Sequence, residues 1–106
     1  MAKYPVVVYG ASGYTGMLIM DWLIDQQVPF TAVARNAKRV QEMMAQRVVR
    51  LESATYEIVE AEHDVDSLVK AFKGAKVVCN TVGPFVNFGL TAVEAALKAG
   101  CHHTDT

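Results

Sequence analysis

The chain alternates between short unbroken apolar runs and longer stretches in which apolar residues recur every three or four positions. Val6 to Tyr9 is an unbroken apolar run and reads as a strand buried on both faces. From Thr15 to about Gln27 the spacing is helical, with Leu18, Ile19, Trp22 and Leu23 predicted on the inward face. Pro29 closes that unit and Phe30 to Ala34 forms the second strand. Asn36 is placed to cap a helix that carries Val40, Met43 and Met44 at i, i+3 and i+4. Tyr56 to Ala61 alternates, as expected of a strand at a sheet edge. Asp64 can cap a third helix with Val65, Leu68, Val69 and Phe72 inward and Gly74 just past its end. Lys76 to Asn80 is the fourth strand, and a loop with Gly83 and Pro84 follows. A fourth helix then turns Leu90, Val93, Ala96 and Leu97 inward and ends at Gly100. His102 to Asp105 begins a fifth strand.

Strands that alternate with helices imply a parallel sheet joined by right-handed crossovers. The predicted fold is therefore α/β, a Rossmann-type parallel sheet of about five strands in the order 3-2-1-4-5, flanked by helices. In that order a ligand crevice opens at the carboxyl ends of strands one and four. Three segments of chemical interest fall on this edge: the glycine loop after Tyr9, the residues after Ala34, and the loop after Asn80.

The glycine loop reads Gly10-Ala11-Ser12-Gly13-Tyr14-Thr15-Gly16. Gly10 lets the strand turn sharply, Gly13 lets a pyrophosphate approach the backbone, and Gly16 lets the helix lie close to the sheet. The helix amides and a partial charge of about +0.5 face the phosphates. Ser12 and Thr15 add hydroxyl donors, and Tyr14 lies between them. The spacing is G-x-x-G-x-x-G rather than the usual G-x-G-x-x-G. A purely structural turn is the alternative reading.

The second strand decides which dinucleotide. An NAD site wants an acid there to bond the ribose 2′-hydroxyl. Ala34 is instead followed by Arg35-Asn36-Ala37-Lys38-Arg39, with no acid. Arg35 can grip a phosphate bidentately, and Lys38 or Arg39 can add charge. A solvated basic turn is the alternative, but cations at a helix N-terminus oppose its dipole and a bound anion accounts for them better. NADP(H) is therefore expected over NAD(H). In the third segment, Thr81-Val82-Gly83-Pro84, Gly83 permits close approach and Pro84 stiffens the turn.

Length and charge narrow the classes. The 106 residues suffice for one domain. A net charge of −1 gives no basic excess for nucleic acid or a membrane surface. No apolar run approaches the ~18 residues of a membrane span. Cys79 and Cys101 read as free thiols of a reducing, cytoplasmic compartment. Cys101, His102 and His103 read as a strand start, since adjacent strand residues point to opposite faces and no metal is expected. His63 reads as a solvated turn residue. No acid/base dyad is legible, so no catalytic residue is assigned.

GASGYTG (Gly10 to Gly16), ARN (Ala34 to Asn36), NTVGPF (Asn80 to Phe85) and the ending GLTAVEAALKAGCHHTDT together resemble the NADP-binding domain of saccharopine dehydrogenase-like oxidoreductases, including trans-acting enoyl reductases. The resemblance implies NADP(H) held by the Gly10 loop, Arg35 and Asn36, with the loop from Thr81 to Pro84 against the cofactor. It also implies that residues 1–106 are the amino-terminal NADP-binding part of a longer enzyme whose further region binds a small-molecule substrate. Hydride transfer and inactivity of this part alone are the corresponding expectations. GASGYTG also resembles N-acetyl-γ-glutamyl-phosphate reductases, which need a nucleophilic cysteine; Cys79 lies in an apolar strand, where an inert thiol is expected. A non-catalytic NADP-sensing module is a further alternative. The unpaired edge of strand five leads us to expect self-association near residues 85–106.

Overall fold

The protein is described by a computed structural model covering residues 2–47, 54–81 and 85–105. Among the described residues nine elements alternate: β1 (Val6–Tyr9), α1 (Tyr14–Asp25), β2 (Phe30–Ala34), α2 (Ala37–Arg47), β3 (Tyr56–Glu60), α3 (Val65–Phe72), β4 (Val77–Asn80), α4 (Phe85–Ala99) and β5 (His102–Asp105). All strands are parallel, in the order β3-β2-β1-β4-β5, as the strand and helix alternation predicted. The register is continuous: Val8 lies opposite Ala32 on one side and Cys79 on the other, Ala34 lies opposite Glu60, and Asn80 opposite Asp105.

Pleating divides the core in two. Val7, Tyr9, Val33 and Val78 face α3 and α4, where they meet Leu68, Phe72 and the alanines of α4. Val8, Phe30, Ala32 and Ala34 face α1 and α2, where they meet Met17, Met20, Ile24, Val40 and Met44. The helix stops are those the sequence implies. Gly74 and Gly100 adopt φ of 100° and 81°, the left-handed conformation that closes a helix. The Asp64 carboxylate caps α3, accepting from the Ser67 amide at 2.8 Å and from its hydroxyl at 3.0 Å. These bonds hold its carboxyl below the usual range.

Two helix faces differ from expectation. Leu18 and Trp22 of α1 point outward, 52% and 61% exposed, while Met17, Met20, Leu23 and Ile24 are buried. The reason is Gly16. A Cβ at Gly16 would stand 2.5 Å from the Gly10 carbonyl oxygen, so the Gly16 side of the helix is the one pressed against the sheet. Met20 and Ile24 continue that ridge at i+4 and i+8. In α4 the inward positions are Ala92, Ala95 and Ala96, while Leu90 and Leu97 are exposed and Val93 is half-buried. Alanines let α4 lie close beside α3 and the sheet, and the larger leucines are displaced to the outside. The helix also starts earlier than the spacing implied, at Phe85.

The amino end is knitted into the edge of the sheet opposite the crevice. The Ala2 amide donates to the Lys73 carbonyl at 2.8 Å. The Lys3 amide donates to the Glu57 carboxylate, which also accepts from the buried Thr31 hydroxyl at 3.0 Å.

Candidate functional site: a crevice at the carboxyl edge of the sheet

The crevice is built where β1 ends. The Gly10 and Ala11 amides donate to the Val33 carbonyl at 3.1 and 3.4 Å, bending the chain across β2. Gly10 does this with φ of 84°, a conformation that costs other residues strain. The Gly13 amide donates back to the Gly10 carbonyl at 3.0 Å, and the Gly13 carbonyl accepts the first helical bond from Met17 at 3.0 Å. Gly13 itself is extended, with φ of −87°. A Cβ there would meet only the Gly10 oxygen, at 3.4 Å. The three glycines thus do separate work: Gly10 supplies the bend, Gly16 the helix packing, and Gly13 open space above the turn. Gly13 is also the N-cap of α1, so no side chain caps that helix.

The second wall is the start of α2. The Asn36 side-chain oxygen accepts from the Arg39 amide at 3.0 Å, which makes it the N-cap that its position predicted. The Glu60 carboxylate, from the last residue of β3, accepts from the Ala37 amide at 3.0 Å. An acid therefore does stand beside the residues after Ala34. It comes from the neighbouring strand, through the Ala34–Glu60 register, and a reading of β2 alone misses it.

The floor is Tyr9. Its side chain is buried, edge-on to Phe72. Its hydroxyl is hydrogen-bonded to Nδ1 of His63, and the two rings are parallel within 1°, with centroids 5.7 Å apart. His63 is thus a half-buried part of the site and not a solvated turn residue. Burial pushes the Tyr9 hydroxyl up to about 12; the Arg35 guanidinium pulls it down and the Asp64 carboxylate pushes it further up. On the β4 side, the Thr81 amide and hydroxyl donate to the Tyr9 carbonyl at 3.0 and 2.7 Å. The Thr81 hydroxyl, which also lies 3.2 Å from the Gly10 carbonyl, therefore ties the end of β4 to the end of β1.

These parts enclose a cavity of about 480 Å³. Gly10, Ser12 and Gly13 line it from the glycine turn, Arg35, Asn36 and Arg39 from the start of α2, and Thr81 from the end of β4. Tyr9, Ala34 and His63 line it as well, and none of them was singled out as a site residue. The available signal was positional: each stands at or just after the carboxyl end of a strand. Lys38 is not among its lining residues. Tyr14 and Thr15 are exposed and stand outside it, at the first turn of α1, and Gly16 is buried beneath. Val82, Gly83 and Pro84 lie outside the described residues.

Neither thiol lines the cavity. Cys79 is half-buried in β4, and burial raises its pKa. Cys101 is buried, with its Sγ donating to the Phe72 and Ala75 carbonyls at 3.4 and 3.3 Å. Both are the environments of inert thiols. Among the described residues no three His, Cys, Asp or Glu side chains cluster as metal ligands, and no helix is long and apolar enough to cross a membrane.

Comparison with known proteins agrees with this architecture. The family model described as NmrA-like matches residues 2–104. A lipid droplet localized protein of Caenorhabditis elegans is 34% identical over 112 residues, covering 99% of this chain and 26% of the relative. A trans-acting enoyl reductase of Mycobacterium bovis is 32% identical over 108 residues, with 97% and 25% covered. A mouse saccharopine dehydrogenase-like oxidoreductase is 29% identical over 110 residues, with 92% and 26% covered. The chain thus spans about a quarter of the length of these relatives. Among solved structures, AtPrR2 with NADP+ and (+)pinoresinol superposes with a TM-score of 0.71 at 23% identity, over 92% of this chain and 34% of that one. Yeast methylglyoxal/isovaleraldehyde reductase Gre2 with NADPH gives 0.64 at 21%, over 89% and 32%. At these identities the structural likeness is one of fold.

Proposed function

The chain belongs to the NmrA-like family, and we propose that its carboxyl-edge crevice binds NADP(H) for an oxidoreductase acting on a small metabolite. The observation that carries this reading is the convergence, in one 480 Å³ cavity, of the Gly10–Gly13 turn with Arg35 and Arg39. The turn suits a pyrophosphate: Gly13 keeps its surface free of a side chain, and the first turn of α1 directs its amides outward with no side chain capping it. The guanidinium groups suit a 2′-phosphate, because a planar fork can hold two phosphate oxygens at once. The likeness in fold to the yeast reductase solved with NADPH and to AtPrR2 solved with NADP+ supports the same assignment.

The cofactor supplies a hydride. What this chain's residues do is bind and orient. The glycine turn holds the diphosphate, the arginines hold the adenosine end, and Tyr9 keeps the β3 and β4 loops at a fixed separation across the crevice floor. Substrate binding is assigned to the further length of the relatives, two of which, the trans-acting enoyl reductase and the saccharopine dehydrogenase-like oxidoreductase, are named as oxidoreductases. Residues 1–106 alone are expected to bind cofactor without turning over substrate.

Calorimetric titration of NADPH and NADH at low salt tests the reading. A charge-assisted bond contributes about 1.5–3 kcal/mol, so NADPH is expected to bind roughly ten- to a hundredfold more tightly. Arg35→Ala should remove most of that difference and leave NADH nearly unchanged. Equal affinities would refute the NADP preference; failure of both to bind would refute the site.

A further inference from the structure

Glu60 does not line the crevice, yet its carboxylate acts on the residues that do. The Ala34–Glu60 register brings the end of β3 alongside the turn into α2, and the carboxylate takes the Ala37 amide at 3.0 Å. Ala37 is two residues from Arg35 and two from Arg39, the pair of guanidinium groups lining the cavity. Asn36 takes the Arg39 amide. Two first-turn amides of α2 are therefore already bonded to the protein's own oxygens, and one of those oxygens belongs to a carboxylate.

We infer that Glu60 is a specificity-determining residue of the crevice, one that sets how strongly a 2′-phosphate is preferred over a 2′-hydroxyl. The inference rests on the dinucleotide reading given above. Two effects act in the same direction. The amide that could have added to phosphate binding is spent on Glu60. A charge of the same sign as the phosphate also stands at the end of the helix where Arg35 and Arg39 would hold it. Neither effect bears on NADH, whose 2′-hydroxyl is neutral. Arg35 and Glu60 thus oppose each other over one substituent, and the net preference is the difference between them. Glu60 is exposed, so water and salt screen its charge and the effect is moderate in size.

Glu60→Gln separates the charge from the cap, because the amide oxygen of glutamine can still accept from Ala37. In low-salt titrations of residues 1–106, NADPH affinity is expected to rise roughly three- to tenfold while NADH affinity changes less than about twofold. The thermal midpoint should be nearly unchanged. Raising the salt to roughly 0.5 M should shrink the difference between the variant and the parent. In the double variant with Arg35→Ala, the gain on NADPH should be smaller than in the single one. An unchanged ratio of NADPH to NADH affinity in a folded Glu60→Gln protein would overturn the inference and leave Glu60 as a helix cap. So would a parallel change in both affinities. If the parent protein binds NADPH and NADH with equal affinity, or binds neither, the failure lies with the crevice reading itself, and the inference falls with it.

Discussion

Tyr9 and His63, 54 residues apart in the chain, are joined through the phenol hydroxyl and Nδ1 with their ring planes 1° from parallel. The bond closes the β3 loop against β1, while the Tyr9 carbonyl receives both Thr81 donors from the other side. One residue therefore holds His63 and Thr81, two residues that line the crevice, through different groups.

The raised ionisation of Tyr9 gives a test by pH. Its folded value, about 12, lies above the ordinary 10, so the stability it contributes is fully present below pH 10 and is lost as pH rises towards 12. Water at the crevice wall screens the phenolate, and the expected loss is about 1–2 kcal/mol. Urea unfolding at pH 9, 10.5 and 11.5 should show this loss in the parent protein, and Tyr9→Phe should lack that share of it. Identical pH profiles for the two proteins would show that burial does not hold the proton.

The glycines of the turn should separate stability from binding. Gly16→Ala places a methyl group 2.5 Å from the Gly10 oxygen, and is expected to cost about 1–3 kcal/mol in thermal unfolding. Gly13→Ala needs no unusual backbone and meets nothing closer than 3.4 Å, so stability should change by less than about 1 kcal/mol. Its methyl group would stand where the pyrophosphate approaches, and NADPH affinity should fall at least roughly tenfold. A Gly13→Ala protein with undiminished affinity would move the diphosphate away from this turn.

The orientation of α1 is checked by two substitutions on opposite sides. Met20→Ala, at a fully buried position, should cost about 2–5 kcal/mol. Trp22→Gln, at an exposed one, should stay within about 0.5 kcal/mol. Both can be followed by circular dichroism during urea unfolding. In the parent protein the single tryptophan should be readily quenched by acrylamide.

The comparison of sequence and structure has a physical pattern. Strand order, strand positions and helix stops were legible, because apolar runs, glycines and the Asn36 and Asp64 caps are local signals. The facing of α1 was not, because Tyr14, Leu18 and Trp22 make a second apolar stripe opposite Met17, Met20 and Ile24. Only the steric demand at Gly16 decides between the two stripes. The pairing of Tyr9 with His63 and the arrival of Glu60 beside Ala37 both depend on strand register, which no spacing within one segment encodes. The residues the sequence placed in the crevice were those after β1, β2 and β4. The lining residues it missed were Tyr9 and Ala34, at the ends of β1 and β2 themselves, and His63, after β3.

The bonds that fasten Ala2 and Lys3 to Lys73 and Glu57 lie at the amino edge of the sheet, and the crevice lies at the carboxyl edge. A linker attached at the amino end consequently leaves from the side of the molecule remote from the cavity mouth. Immobilising the protein through that end on a sensor chip would present the crevice to the flowing solution, so cofactor association and dissociation rates could be recorded without the tether standing in the way.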